Sequence, residues 1–218
     1  MGWLRSRWDY VSGILFVVLF LVGFALSGDS GDSPAEMTSF YTDSGNQTKQ
    51  LAAYFLFLAA MLAFLWFLGT LRAELLRAEG GDAPLTAVAF ASGMSFVVLM
   101  IAGLTLFSSP AFMASDDKFQ FNPNTADFVL DAGYGLFVAA LVLSSLLLLA
   151  VALIAYRSRF MPIWVAWVSI PAGIALLFSL FFFPVFVLLL WVLIVSVVML
   201  LRAWRPARTP EPTVGPSV

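Results

Sequence analysis

The sequence predicts an all-α fold, a polytopic membrane helical bundle with six transmembrane helices. Hydrophobic residues make up 61% of the chain and charged residues 11%, whereas soluble domains carry about 25% charged residues. Six apolar runs are long enough to cross a membrane, which takes about 20 helical residues. The arginines between these runs all fall on one side of the six crossings. These observations exclude a soluble globular class.

The predicted spans follow the apolar runs in order. They cover residues 10–27, 51–71, 85–107, 128–156, 163–183 and 185–203. Lipid offers no hydrogen-bond partner to the backbone, so runs of this length are helical. Pro184 divides the last two runs, because proline has no amide donor and breaks a helix. One broken helix over both runs is the alternative, but it would have about twice the length that a bilayer requires.

The first run has two interpretations. Arg5 and Arg7, an apolar stretch and then the small residues ALSG at 25–28 resemble a cleavable secretory signal. An uncleaved first span is the preferred interpretation, because the run is long and matches a later segment of the chain.

The charged residues predict the orientation. Arginines lie in the N-terminal segment, the second and fourth loops and the C-terminal segment. They are Arg5, Arg7, Arg72, Arg77, Arg157, Arg159, Arg202, Arg205 and Arg208. The preference of arginine for cytoplasmic segments predicts cytoplasmic N- and C-termini in the plasma membrane. The opposite loops, 28–50 and 108–127, carry both lysines and most of the carboxylates.

The first four runs contain an internal repeat with a shift of 80 residues. SGILFVVL at 12–19 aligns with SGMSFVVL at 92–99, and AAYFLFLAA at 52–60 aligns with AGYGLFVAA at 132–140. Because apolar helices match one another easily, these alignments need support from outside the spans.

A loop match supplies that support. SPAEM at 33–37 returns as SPAFM at 109–113, and membrane insertion does not require this order of residues. The sequence therefore predicts a parallel duplicated helical hairpin, with repeat one at 10–71 and repeat two at 85–156. Each Ser-Pro pair is typical of a turn or of the first turn of a short helix. Both outer loops are predicted to fold back onto the outer membrane surface.

The rest of the chain completes one transmembrane domain, residues 1–204. A third hairpin at 162–203 is interpreted as a reduced copy, because AGI at 172–174 resembles SGI at 12–14. The segment 205–218 is rich in proline and is predicted to be a disordered cytoplasmic tail.

The composition limits the chemistry. Cysteine and histidine are absent from the sequence, which excludes disulfides, thiol nucleophiles, imidazole bases and the usual zinc, copper and haem ligands. The sequence has no nucleotide-binding loop, metalloprotease helix or hydrolase elbow. It also has no basic stripe of the kind that binds nucleic acid. We therefore expect no enzymatic activity, no metal and no cofactor.

No lysine, arginine or glutamate lies at the centre of a predicted span, and Asp131, near the start of the fourth, is the one acidic residue within any span. It follows Asp127 by one helical turn and shares a face with Tyr134, which would suit an outward-facing cation or proton site. The preferred interpretation is an acid at the outer helix N-terminus, stabilised by the helix dipole and in contact with water. Pro171 should bend its helix, and we favour a fixed kink over a hinge for transport.

Two segments carry a family resemblance. The acidic outer loop ends in NQTKQLAAYFLFLAA at 46–60, and FMPIWVAWVSIPAGIALL follows at 160–177. With these segments the chain resembles bacterial multi-spanning membrane proteins of the actinobacterial type, grouped in families of unknown function. The resemblance implies a membrane fold and assigns no catalytic or binding residue.

The sequence favours a multi-pass integral membrane protein with an accessory or binding role and without enzymatic activity. A small transporter or lipid-handling protein is the alternative, which the parallel repeats support. An enzyme acting at the outer surface through Asp127 and Asp131 is a third hypothesis. The lipid bilayer is the expected partner, and the sequence leaves open a protein partner or a homo-oligomer.

Overall fold

The computed structural model describes residues 2–31, 33–115, 121–181 and 183–204, with side chains from Tyr10 onward. Within these residues the chain forms seven helices and no strand. They are α1 Gly2–Ser27, α2 Pro34–Thr42, α3 Ser44–Glu79, α4 Pro84–Ala114, α5 Pro123–Ser158, α6 Ile163–Leu177 and α7 Pro184–Ala203. The predicted tail at 205–218 and the side chains of Arg5 and Arg7 lie outside the described part.

Five of the described helices are long and apolar enough to cross a membrane, namely α1, α3, α4, α5 and α7. The chain thus has the helix lengths and composition of a multi-pass membrane protein. α6 has 15 residues. At 1.5 Å per residue it spans about 22 Å, less than the hydrocarbon core of about 30 Å.

The predicted fifth span, 163–183, is therefore too long, because α6 ends at Leu177. Short-range bonds replace the helical ladder there: the Phe178 amide donates to the Ala175 carbonyl at 3.1 Å. Ser179 is buried and donates its hydroxyl to the Leu176 carbonyl. Such three-residue bonds tighten the backbone and end an α-helix.

Six of the helices form a closed ring. α1, α3, α4, α5, α6 and α7 each pack against their neighbours in that order, and α7 packs back against α1. α2 lies across α3, α4 and α5 at the end that we call the outer end. The opposite end, where α3 meets α4 and α5 meets α6, is the inner end.

The interior of the ring is aromatic near its centre. Phe16 of α1, Phe64 of α3 and Phe96 of α4 are fully buried. The Phe64 ring centroid lies 5.0 Å from those of both Phe16 and Phe96. Phe16 and Phe96 occupy equivalent positions under the 80-residue shift. Each aromatic contact of this kind stabilises the fold by about 0.5–1.5 kcal/mol beyond the contribution of the buried area.

Two helix crossings coincide with aligned residues. A Cβ atom on Gly103 of α4 would lie 3.0 Å from the Gly133 carbonyl oxygen of α5. On Gly23 of α1, a Cβ atom would lie 3.3 Å from the Ala53 carbonyl oxygen and 3.1 Å from the Phe57 ring of α3. Small residues allow both pairs of backbones to approach closely.

The first Ser-Pro pair starts a short helix, which is one of the two arrangements expected there. Ser33 caps α2: its hydroxyl accepts from the Glu36 amide at 3.2 Å, and the Glu36 carboxylate accepts from the Ser33 amide at 3.1 Å. Pro34 is the first residue of α2, where a missing amide leaves nothing unsatisfied.

The second Ser-Pro pair lies inside α4, so the turn predicted at Ser109 is wrong. Pro110 cannot supply the amide that would bond to the Leu106 carbonyl four residues earlier. The Ser109 hydroxyl donates to that carbonyl at 2.8 Å instead. The helix therefore continues through the proline to Ala114.

Candidate functional site

The predicted polar site of Asp127, Asp131 and Tyr134 lies on the outer part of α5 and stays a prediction. Asp127 and Asp131 are both exposed on α5. Tyr134 is half-buried, and its hydroxyl donates to the Leu180 carbonyl beyond α6. In the described part of the chain, no group of three acidic side chains is close enough to hold a metal ion.

The predicted hinge residue lies on an uninterrupted helix. Pro171 is exposed on α6, which runs from Ile163 to Leu177 around it. The hinge function stays a prediction.

A different site lies at the outer end. A cavity of about 280 Å³ opens between α1, α3, α4 and α5, beneath α2. Its volume is close to the lower end of the range for small-molecule sites, about 300–1,000 Å³. The lining is mostly aromatic and aliphatic, with a few polar groups: Phe20, Phe24, Ser27, Gly28, Asp29, Ser30, Tyr41, Gln50, Ala53, Tyr54, Phe57, Leu104, Phe107, Ser108, Leu130 and Phe137.

Packed aromatic rings fix one wall of the cavity. The Phe20 and Phe57 centroids lie 5.0 Å apart in an edge-to-face arrangement. Phe57 also contacts Gly23, so the close crossing of α1 and α3 holds its ring in position. This wall is thus formed before any ligand arrives.

Helix α2 forms the roof. Tyr41 is 2% exposed and packs between Phe40, with centroids 5.1 Å apart, and Phe121, with centroids 5.5 Å apart. Tyr41 and Met37 belong to a small buried cluster with Ala111 of α4. Burial raises the pKa of the Tyr41 phenol, against a smaller lowering by its hydrogen bond with Ser30. Tyr41 therefore stays neutral.

Two glutamines of α3 bond to the ends of neighbouring helices, and one of them, Gln47, ties the roof to the bundle. The Gln47 amide nitrogen donates to the Tyr41 carbonyl at 2.7 Å and to the Ala114 carbonyl at 3.3 Å. The Gln50 amide nitrogen donates to the Ser27 carbonyl at the end of α1. These bonds satisfy helix-terminal carbonyls that would otherwise lack partners.

The lining of the cavity includes several polar groups. Asp29 is exposed and accepts from the Gly31 amide at 3.0 Å. The Tyr54 hydroxyl lies 3.2 Å from the hydroxyl of Thr105, an exposed residue of α4, and Ser108 is buried. A carboxylate at the mouth and an apolar interior suit a neutral or cationic molecule with a small polar end.

Sequence reasoning missed most of this site. The aligned segment AAYFLFLAA includes Tyr54, but the alignment does not predict that Phe20, Phe57 and Gln50 line a cavity. One signal was available: Phe16, Phe20 and Phe24 recur every four residues and so share one helix face.

No protein-family model, curated protein or solved structure matches the chain. The resemblance to bacterial multi-spanning families therefore stays a prediction.

Proposed function

We propose that the chain is a multi-pass membrane protein that binds a small, mainly apolar molecule in its outer cavity and does not act as an enzyme. One observation carries this proposal, the cavity of about 280 Å³ with an aromatic wall and the roof that α2 provides. A preformed, mostly apolar pocket with a few polar groups is the usual form of a ligand site.

For the architecture we propose six membrane crossings, a duplicated hairpin and cytoplasmic termini in the plasma membrane. α6 and the turn after it would make the fifth crossing. Leu180 in this turn accepts a hydrogen bond from Tyr134 of α5 at the outer end. The start of α7 contacts the end of α1 there, since the Phe24 and Phe186 ring centroids lie 5.9 Å apart. The matched glycine crossings support the duplication. Arginine at the inner end supports the orientation.

Transport or lipid handling is the second candidate. The parallel repeats and an outward-opening cavity favour it, since related hairpins often enclose a transported substrate. A binding role needs only the cavity, so it is the simpler conclusion.

Native mass spectrometry of the protein, extracted gently from its own membrane, tests the binding proposal. We expect one small molecule to be retained reproducibly. Leu130 lines the cavity. Leu130→Trp should fill the space and remove the bound molecule. The matched control is Leu143→Trp, which adds the same bulk to α5 at a side chain that is 38% exposed. This variant should retain the bound molecule.

Two results would contradict the proposal. One is a wild-type protein without any bound small molecule. The other is a molecule that stays bound to the Leu130→Trp variant but is lost from the Asp127→Asn/Asp131→Asn variant. That result would place the binding site at the predicted acid pair. Thermal unfolding of each variant shows whether it is folded.

A further inference from the structure

A second, larger cavity lies at the inner end, away from the outer site. It has a volume of about 590 Å³ and opens between the start of α6 and the end of α7. Arg159, in the loop before α6, and Arg202, in the last turn of α7, both line it. The lining of this cavity therefore includes two arginines.

Neither guanidinium is neutralised by the described side chains. Among the described residues, an ion pair joins the Arg77 guanidinium to the Glu74 carboxylate at 2.9 Å. Glu74 lines a smaller neighbouring cavity with Arg202, but its carboxylate accepts from Arg77 and from the Tyr10 hydroxyl, the latter at 3.1 Å. Two arginines that form no ion pair with the described side chains, beside one cavity, favour an anion with several acceptor oxygens.

The rest of the lining is apolar and continues towards the membrane. Met161 and Val198 form a buried floor. Ile163, Trp164 and Leu201 line the cavity and are 43%, 47% and 61% exposed. In a bilayer these exposed side chains face acyl chains. An occupant with an anionic head and an apolar body would meet both parts of the lining.

We propose that this cavity binds the headgroup of an anionic phospholipid, with its phosphate between Arg159 and Arg202 and its acyl chains along Trp164 and Leu201. Basic pockets between transmembrane helices on the cytoplasmic side bind anionic headgroups in this way. The site is separate from the outer cavity, so either proposal can fail without the other.

Lipid titration followed by native mass spectrometry tests the proposal. Detergent-purified full-length protein is titrated with phosphatidylglycerol, with phosphatidylcholine and with inorganic phosphate. We expect one tightly held phosphatidylglycerol, weaker phosphatidylcholine binding, and no retained inorganic phosphate. At about a fivefold loss per arginine, Arg159→Gln/Arg202→Gln should bind phosphatidylglycerol about 25-fold more weakly.

The control variant removes the same charge elsewhere at the inner end. Arg72→Gln/Arg157→Gln alters two exposed arginines that neither line the cavity nor pair with Glu74, and it should bind phosphatidylglycerol like the wild type. Equal weakening in both double variants would overturn the proposal, since binding would then follow net charge. Retention of inorganic phosphate as strong as that of the lipid would overturn the lipid assignment.

A second variant guards against misfolding. Arg159 has a left-handed backbone, with φ of 52°. Arg159→Gly relieves this conformation while it removes the guanidinium, so the variant should fold. We expect a fivefold loss of phosphatidylglycerol affinity, and wild-type affinity in this folded variant would contradict the role of Arg159.

Discussion

The outer ends of the two hairpins, α1 with α3 and α4 with α5, contain nearly the same pentapeptide in two different structures. In the first hairpin, α1 ends at Ser27, the chain turns through Gly28 and Gly31 with φ of 67° and 72°, and Ser33 starts α2. In the second, α4 continues without interruption through Ser109. The preceding residues therefore determine whether Ser-Pro starts a helix or lies within one.

This difference creates the candidate site. Because α1 stops early, α2 is free to lie across the outer end and place Tyr41 over the cavity. The SPAFM segment of α4 provides the surface on which α2 packs, through Ala111. One of the two Ser-Pro-Ala segments thus belongs to the roof, and the other supports it.

The largest expected difference between the hairpins lies at their glycine crossings. Gly103→Ala places a methyl group 3.0 Å from a backbone oxygen that cannot move aside, and should destabilise the protein by about 2 kcal/mol. Gly23→Ala approaches a backbone oxygen less closely, at 3.3 Å, and the Phe57 ring at 3.1 Å, and should cost about 1 kcal/mol or less. Thermal unfolding in detergent measures both.

Gly135→Ala is the matched control for this pair. A Cβ atom there has no neighbour within 4 Å, so its unfolding temperature should equal or slightly exceed the wild-type value. If Gly23→Ala proved as damaging as Gly103→Ala, the two crossings would be equally tight and the comparison would be wrong.

A smaller effect separates the two serines. Ser33→Ala removes the cap of α2 and should cost about 1 kcal/mol, so amide exchange in the first turn of α2 rises about fivefold. Ser109→Ala should also cost about 1 kcal/mol, because the Leu106 carbonyl loses its partner. In a Pro110→Ala background, however, the restored amide replaces the serine and the cost should disappear.

Hydrogen exchange and a double-mutant cycle distinguish these two roles. Ser33→Ala should keep its full effect in a Pro34→Ala background, since capping does not depend on the proline. A Ser109→Ala cost that persists without Pro110 would show that Ser109 does not compensate for the proline.

The sequence was sufficient for the features that depend on apolar length. Helices α3, α4 and α5 contain the predicted runs and extend beyond them. Asp43 and Asn122 cap the extended N-terminal ends of α3 and α5, and α4 continues through Pro110 to Ala114. Pro184 was correctly predicted to start a new helix. These features follow from insertion into lipid and from local backbone chemistry.

Features that depend on contacts between helices could not be predicted. The end of α6 at Leu177 follows from a tight turn in a segment whose apolar composition suits a helix equally well. The different fates of Ser33 and Ser109 depend on whether the previous helix continues. The cavity depends on four helices at once, and no single stretch of sequence encodes it.

The most direct test of the account is the chemical accessibility of Ala111 beneath α2. The natural chain has no cysteine, so single cysteines can be labelled without background. Ala111 is fully buried and Phe112 is 41% exposed. Maleimide should therefore label Phe112→Cys quickly and Ala111→Cys slowly.

Displacing the roof should change this result. Gly31→Val introduces a Cβ atom 2.7 Å from Glu36 at a φ of 72°, which disrupts the start of α2. In this background we expect labelling of Ala111→Cys to accelerate more than about tenfold. That factor corresponds to a decrease of about 1.4 kcal/mol or more in the free energy of local opening. Equal labelling of Ala111→Cys and Phe112→Cys in the otherwise unaltered chain would show that α2 does not cover Ala111. It would thereby contradict the outer site.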